Sequence, residues 1–373
     1  MDPQNINNPP SNPPVQNPGL QIKQTTNDQI RLLGEKIEKS SLPDDVRHNL
    51  IERVQRLALI RASSGYLSAN YIIEYENTSA YINYTVNLPW DKKSQDILDL
   101  VGAKKVLDGN HYGLVDMKDR ILEYLASIIL NLQHKEHILR APILCLVGLA
   151  GTGKTTLASS IAQALGRKFE RIPFGGMGDA RTLRGQSRAF ADAEPGLVIK
   201  KLIHAQTKNS VILLDELDRV SQDARADIMG VLVELLDPEQ NKTFTDHYID
   251  YPFDLSEVLF ISTANNTSNI STAVLDRLEI IQMPSYSDAE KIVIAKDYLF
   301  KKTRTLIGLL DNQLTIDDAL WPNIIRPLGF DSGIRSLERT IEGICRKTAR
   351  LIVEGKAQSV RITAENIKEF LPK

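Results

Sequence analysis

The chain has 373 residues, of which 42% are hydrophobic and 25% charged, as in an ordinary soluble globular protein. This length leaves room for two or three domains of common size. The formal net charge of −2 gives no strong basic field, which argues against a protein that mainly binds nucleic acid or an anionic membrane surface.

The chain begins with a segment dominated by Asn, Pro and Gln. Residues 1–25 contain few large apolar side chains, so they cannot bury enough surface to offset the entropy lost on ordering. We predict a disordered tail. No signal-peptide pattern follows Met1, and no apolar run approaches about 18 residues, so we expect a cytoplasmic protein without a membrane partner.

Residues 26–112 have the pattern of a helical region. Pro43 suits a first helical turn, and apolar residues then recur at spacings of three and four: Val46, Leu50, Val54, Leu57 and Ile60. A second helical segment over 66–84 carries five tyrosines. No basic residues interleave with them, so we interpret this face as packing rather than as a platform for stacking bases.

Residues 113–284 alternate short apolar runs with helical patterns. The runs are ILCLVG (143–148), KFERIPF (168–174), SVILLDE (210–216), VLFISTA (258–264) and LEIIQM (278–283). Crossover helices fit between the earlier runs, which predicts an α/β domain with a mostly parallel five-stranded sheet. Residues 285–373 predict a small helical domain that ends in a short strand and a last helix. Cys145 and Cys345 are expected to be buried, reduced thiols.

GLAGTGKT at 148–155 matches the phosphate-binding pattern G-x-x-x-x-G-K-[ST] in full, between an apolar strand and an amphipathic helix. Its glycines allow the backbone to curl so that N–H groups point at phosphate oxygens. Lys154 supplies a cation at the β- and γ-phosphates, and Thr155 offers a hydroxyl to Mg²⁺. We therefore predict ATP and Mg²⁺ as cofactors, with ATP bound by Gly148, Leu149, Ala150, Gly151, Thr152, Gly153, Lys154, Thr155 and Thr156.

Two later strands end in residues suited to hydrolysis. VILLDE (211–216) ends in Asp215, expected to hold Mg²⁺ through water, and in Glu216, expected to polarise the attacking water. ISTAN (261–265) ends in Asn265, which we expect beside Glu216, orienting the same water. The alternative for Asn265 is an ordinary turn residue.

These motifs, together with LDR (275–277) and the helices after it, resemble an AAA+ ATPase. More specific runs are similar to the ATPase module of the Lon protease family: LPW (88–90), HYGL (111–114), LLDPEQN (235–241) and FTDHY (244–248). The resemblance covers roughly residues 40–370. It implies a P-loop AAA+ core that is preceded by a helical region and followed by a helical lid.

The resemblance also implies a subunit ring. Arg277 matches the family's arginine finger, which acts on the ATP of a neighbouring subunit and so requires a homo-oligomer, usually a hexamer. The alternative is a surface arginine paired with Asp276 or Glu279.

Further positions match residues that surround the nucleotide in this family. Arg335, at the start of a lid helix, matches the sensor-2 arginine, which reaches the γ-phosphate and lets lid and core close around ATP. Tyr112 and Gly113 match the region that contacts adenine.

RAFADAEPG (188–196) stands where the family carries the loop that grips polypeptide in the central pore. Phe190 matches the gripping aromatic residue, while Ala191 replaces a larger aliphatic residue and Asp192 a glycine. We expect polypeptide substrates and a weaker grip than usual, since less apolar surface is offered. The alternative is that Phe190 packs into the core.

The resemblance has two departures. The family's peptidase domain and its large N-terminal recognition domain have no counterpart here, so we expect a motor that acts alone or with a separate peptidase. His134 and His137 are not expected to bind metal, because no third ligand is evident. A nucleic-acid remodeller or loader and a nucleotide-switched platform without turnover remain as alternative functions.

Overall fold

The computed structural model describes residues 29–64, 68–133, 142–326 and 333–372. It contains two compact units, Met1–Trp90 and Asp91–Lys373. The Asn- and Pro-rich segment at the start of the chain, and the pair His134 and His137, lie outside the described residues. The domain boundaries inferred from the sequence stay predictions.

The first unit consists of helices. Its elements are α1 (residues 29–38), α2 (Asp44–Ser64) and α3 (Ala69–Asn87). The Ser68 hydroxyl accepts a hydrogen bond from the backbone N–H of Tyr71 at 3.2 Å and so caps the start of α3. Tyr71 and Tyr81 are buried, which agrees with the packing interpretation of the tyrosines in this helix.

A five-stranded parallel sheet forms the centre of the second unit, and the sequence-based fold class is confirmed. Its strands are β1 (Ile143–Val147), β2 (Phe169–Pro173), β3 (Val211–Asp215), β6 (Leu259–Ala264) and β7 (Leu278–Gln282). Their spatial order is β2-β3-β6-β1-β7, and all neighbours are parallel. The carboxyl ends of β3, β6 and β1 therefore lie side by side at one edge.

Helices alternate with these strands along the chain. They are α4 (Leu100–Asn110), α5 (Val115–Gln133), α6 (Lys154–Ala164), α7 (Arg181–Arg184), α8 (Leu197–Ala205), α9 (Arg225–Leu236) and α10 (Thr272–Leu275). Fully buried aliphatic side chains join α5 and α6 to the strands, among them Ile121, Leu144, Leu157, Ile161 and Ile261. This apolar core fixes where α6 begins relative to the sheet edge.

The lid follows β7 and has its own apolar core. It comprises α11 (Asp288–Val293), a π-helical turn (Ile294–Leu299), α12 (Phe300–Ile307), β8 (Leu314–Ile316), α13 (Trp321–Ile325), α14 (Arg335–Val353), β9 (Val360–Ile362) and α15 (Ile367–Phe370). Its core includes Trp321, Ile341 and Ile344. The predicted final strand and helix are confirmed as β9 and α15.

Both cysteines are free and buried, as predicted. Burial raises the pKa of the Cys345 thiol to about 11, so this thiol is protonated near neutral pH. Within the described part of the chain, no helix combines the length and hydrophobicity that a bilayer crossing requires.

Three short strands were not predicted from the sequence. β4 (Phe244–Thr245) and β5 (Pro252–Phe253) form an antiparallel pair, and β8 pairs in parallel with the predicted strand β9. Strands of two or three residues are too short to display the alternation that identifies a strand in sequence.

A buried ion pair ties the segment before α4 to the sheet domain. Arg167, whose side chain is almost fully buried, donates from Nε and Nη2 to the two carboxylate oxygens of Asp96 at 2.7 and 2.8 Å. Its Nη1 donates to the carbonyl oxygen of Glu257 at 3.1 Å. The guanidinium thus has acceptors on two segments that are distant in sequence.

We expect Asp96→Ala to lower the free energy of unfolding by about 3 kcal/mol, because it leaves the Arg167 charge buried without its partner. Urea unfolding measures this change. The control is Glu342→Ala, which breaks the exposed pair with Arg346 on α14 and should cost only about 0.3–0.5 kcal/mol. Equal losses in the two variants would contradict the prediction.

Candidate active site

A cleft of about 790 Å³ opens at the sheet edge, between the α/β core and the lid. This volume lies within the usual range for ligand sites. The residues inferred from the sequence that line it are Tyr112, Ala150, Gly151, Thr152, Gly153, Lys154, Thr155, Thr156, Asp215, Glu216, Asn265 and Arg335. The structure thus brings together most of the predicted nucleotide site, from segments spread over more than half of the chain.

The phosphate-binding loop takes its shape from glycines in two different ways. Gly151 and Gly153 have φ values of +83° and +94°, the left-handed region that glycine enters without strain. Gly148 is needed for space, because a Cβ there would lie 2.6 Å from the carbonyl oxygen of Met283 at the end of β7. The loop leads into α6, whose first residues line the cleft. The N-terminus of a helix favours an anion at such a position.

Lys154 holds its ammonium group close to the loop. Its Nζ donates to the carbonyl oxygens of Gly148 at 2.6 Å and Leu149 at 3.1 Å, and to Oδ1 of Asn265 at 3.1 Å. Burial lowers the pKa of Lys154, while nearby carboxylates, Asp218 foremost, act in the opposite direction. A cation at the mouth of a glycine loop suits the charge of a triphosphate.

One threonine joins the two acids at the end of β3. The hydroxyl of Thr263 on β6 donates to Oδ1 of the buried Asp215. The Thr263 hydroxyl oxygen, Oγ1, in turn accepts the backbone N–H of Glu216 at 2.9 Å. Arg171 on β2 donates from Nε to Oδ2 of Asp215 at 2.6 Å. Thr263 and Arg171 were missed in the sequence, since nothing near them in the chain marks them as partners of these acids.

Glu216 has a left-handed backbone, with φ +61° and ψ +52°. Such a conformation is strained for a residue other than glycine and is characteristic of functional sites. Its carboxylate oxygens both lie 3.2 Å from Nη1 of Arg219. A Cβ at Gly175 would lie 2.8 Å from Oε2, so the glycine leaves room for this carboxylate.

Asn265 is oriented by a second buried acid. Its backbone N–H donates to Oδ1 of Asp218 at 3.0 Å and its Nδ2 to Oδ2 at 3.3 Å, which turns the amide oxygen toward Lys154. The second aspartate of LLDELD (213–218) was the available signal for Asp218 in the sequence. The expectation that Asn265 orients a water together with Glu216 stays a prediction.

The lid contacts the phosphate-binding loop directly. The backbone N–H of Ile334 donates to the carbonyl oxygen of Gly151 at 3.0 Å. A Cβ at Gly333 would lie 2.5 Å from the carbonyl oxygen of Ala150, so only glycine permits this approach. Arg335, which follows Ile334, begins α14 and lines the cleft.

Aromatic side chains line another part of the cleft. The rings of Tyr112 and Tyr298 have centroids 6.2 Å apart, with Tyr298 in the π-helical turn of the lid. Gly113 has φ +65°, and a Cβ there would lie 2.7 Å from Oε1 of Glu290. Gly113 is thus adjacent to the cleft but is not one of the described residues that line it. Aromatic faces of this kind suit stacking with a flat base. Contact of Tyr112 and Gly113 with adenine stays a prediction.

Arg277 lies outside the set of described residues that line this cleft. Its Nη2 is 2.9 Å from Oδ2 of Asp237, and its Nη1 donates to the carbonyl oxygen of Ala273 at 2.8 Å. This contact holds the pKa of Asp237 below its usual value. The acidic partner of Arg277 is therefore Asp237, and neither Asp276 nor Glu279, the two acids considered from the sequence. A role for Arg277 in a neighbouring subunit stays a prediction.

Phe190 is 61% exposed, which rules out the alternative of core packing. Ala191 and Asp192 are exposed as well. Asp192 has φ +57°, so the backbone here adopts the conformation that the glycine usual at this position would favour. Gripping of a polypeptide by this loop stays a prediction.

Comparison with known proteins agrees with the geometry. Residues 144–286 match the family model of the ATPase family associated with various cellular activities (AAA). Residues 306–360 match the model of the Lon protease AAA+ ATPase lid domain. The two matches include β1 to β7 and most of the lid.

Several curated proteins are similar over most of the chain. The Lon protease of Lawsonia intracellularis is 44% identical over 344 residues, which are 92% of this chain and 40% of that protein. Lon protease 1 of Bacillus subtilis is 42% identical over 345 residues, 92% of this chain and 43% of that protein. The chain thus spans about 40% of the length of the curated relatives it matches. With its AAA core and Lon lid, the chain is an AAA+ ATPase module of the Lon protease family.

Proposed function

We propose that this chain hydrolyses ATP and uses the energy to unfold and translocate polypeptide, as the motor of ATP-dependent proteolysis or protein quality control. The observation that supports it most is the convergence of Lys154, Asp215, Glu216 and Asn265 in one cleft that the lid arginine also lines. These are the cation, metal-binding acid, base and polar residue that phosphoryl transfer to water requires.

The donor groups fit a magnesium nucleotide. The hydroxyl of Thr155 and the carboxylate of Asp215 are oxygen ligands of the kind Mg²⁺ prefers, and both line the cleft. When bound, Mg²⁺ neutralises charge on the β- and γ-phosphates. Lys154 and Arg335 add cations from the core and from the lid.

Glu216 would accept the proton of the attacking water. Its contact with Arg219 must loosen for this, because Arg219 now engages both carboxylate oxygens and the water has to reach one of them. Closure of the lid would exclude bulk water from the cleft, since Ile334 already joins the lid to Gly151.

The polypeptide part of the proposal rests on the exposed loop and on family membership. Phe190 offers an exposed aromatic ring on a loop that matches the substrate-gripping loop of the family. We propose that the chain assembles as a homo-oligomeric ring, a hexamer, in which Arg277 acts on the ATP of the adjacent subunit.

We expect Glu216→Gln to lower ATP hydrolysis by about 10²- to 10⁴-fold while nucleotide binding persists, because only the proton acceptor is removed. Phosphate release and binding of a fluorescent ATP analogue measure the two effects. Glu239→Gln, an exposed acid after α9, is the control. A wild-type chain that does not hydrolyse ATP when assembled would overturn the enzymatic proposal.

We expect Thr263→Val to reduce the rate of hydrolysis by about tenfold to a hundredfold. The change keeps the side-chain shape but removes the hydroxyl that joins Asp215 to the Glu216 backbone, a loss of about 1–3 kcal/mol. Steady-state kinetics measure it. Ser262→Ala is the matched control, since that hydroxyl faces the carbonyl oxygen of Leu144 on β1. A comparable slowing in the control would argue against the specific role of Thr263.

We expect Phe190→Ala to abolish most ATP-dependent unfolding of a tagged model protein while basal hydrolysis changes less than about twofold, because the loop lies outside the cleft. Fluorescence of the tagged protein reports unfolding, and product size reports any cleavage. Leu306→Ala, at an exposed lid residue, is the control.

A DNA-binding titration at several salt concentrations tests the alternative of a nucleic-acid remodeller. Contacts with DNA phosphates would make the binding constant fall steeply as the salt concentration rises.

A further inference from the structure

Asp246, in the FTDHY segment, is a buried acid away from the nucleotide cleft. Its side chain is 1% exposed. Oδ2 accepts the backbone N–H of Gly196 at 2.7 Å, and Oδ1 accepts those of Tyr248 and Ile249 at 2.8 and 3.1 Å. One carboxylate therefore links its own turn to a residue 50 positions earlier in the chain.

The other end of the same loop also lies against this carboxylate. Gly185 has φ +76°, and a Cβ there would lie 2.7 Å from both oxygens of Asp246. A Cβ at Gly196 would lie 2.0 Å from the carbonyl oxygen of Leu183. The chain therefore leaves and re-enters the domain at two glycines that meet around Asp246, and any larger residue would push these segments apart.

Backbone hydrogen bonds complete this junction. The N–H of Gln186 donates to the carbonyl oxygen of Glu194 at 3.1 Å and closes the base of the loop. The N–H of His247 donates to the carbonyl oxygen of Arg184 at 2.8 Å. The loop of residues 185–196 and the turn of residues 246–250 thus form one connected element.

A second contact reaches toward the tip of the loop. Nη2 of Arg188 lies 3.6 Å from Oδ2 of Asp250, and its Nη1 donates to the carbonyl oxygen of Ile249 at 3.4 Å. Phe190 lies two residues beyond Arg188 and is exposed. The turn of residues 246–250 therefore contacts the loop two residues before Phe190, close to its exposed tip.

Retaining an ionisable group at such a position has an energetic cost. Burial raises the pKa of the Asp246 carboxyl, although the three backbone N–H donors oppose this shift. An uncharged side chain would avoid that cost. Buried ionisable groups with a shifted pKa are found more often at functional sites than elsewhere.

We propose that Asp246 is a positioning residue for polypeptide handling: it fixes both ends of the loop of residues 185–196 and so sets the direction in which Phe190 meets the substrate. The proposal rests on the proposed function. It assigns to Asp246 an action through Phe190, with no contact of its own to the polypeptide.

Asp246→Asn is the direct test, carried out on the full chain. The amide oxygen can still accept from Tyr248 and Ile249, but the NH₂ group then faces the N–H of Gly196 and the link to the loop is lost. We expect half-maximal stimulation of ATP hydrolysis by unfolded casein to need about tenfold more casein, with basal hydrolysis changed less than about twofold. Asp254→Asn is the matched control, because it makes the same change at an aspartate that accepts the backbone N–H of Ser256 in the following turn.

A double-mutant cycle with Phe190→Ala separates this inference from the proposed function. If Asp246 acts through Phe190, Asp246→Asn adds nothing in the Phe190→Ala background. Independent effects that multiply would overturn the inference and leave the grip of Phe190 intact. A Phe190→Ala chain that responds to casein like the wild type would instead overturn the proposed grip.

Limited trypsin digestion provides a readout that does not depend on activity. We expect Asp246→Asn to accelerate cleavage after Arg188 relative to cleavage after Arg181, which is exposed just before the loop. Asp246→Glu, which pushes the carboxylate toward Gly185, should show the same acceleration. If both variants lose basal hydrolysis without faster cleavage at Arg188, Asp246 is only a structural residue and the inference is wrong.

Discussion

Parallel pairing of β3, β6 and β1 is the constraint on which the site depends. In a parallel sheet the carboxyl ends of neighbouring strands lie at one edge, and here each of these ends carries part of the site. Asp215, Asn265 and the phosphate-binding loop therefore meet without any long excursion of the backbone. The apolar strands are buried on both faces, so a shift in register would displace the polar residues and the core together.

Buried charges at this edge stabilise one another. Lys154 faces Asn265, and Asn265 is held by Asp218, so a cation and an acid are bridged by one amide. Asp215 is neutralised from the other side by Arg171. Such an arrangement avoids the cost of an isolated buried ion and keeps each group close to the position that a phosphate or a metal ion would require.

Much of this organisation could be predicted from the sequence, for reasons that particular residues make clear. The strands are continuous apolar runs, and the loop at 148–155 is a local pattern that contains its own chemistry. Partners made by the fold were not predictable. Thr263 lies 48 residues from Asp215, and Asp237 lies 40 residues from Arg277, so no local pattern connects either pair. Gly148 belongs to the local motif, but its need for space could not be predicted, because that need comes from the backbone of Met283 packed against it.

The left-handed backbone at Asp192 has a consequence for how this loop can change over generations. Because the residue already adopts a conformation natural to glycine, replacing it by glycine needs no rearrangement of the loop and relieves strain. Codons for aspartate and glycine differ by a single base. The loop therefore stands one point mutation from the glycine usual in its family, and the negative charge at its tip is a feature that selection can add or remove without disturbing the fold.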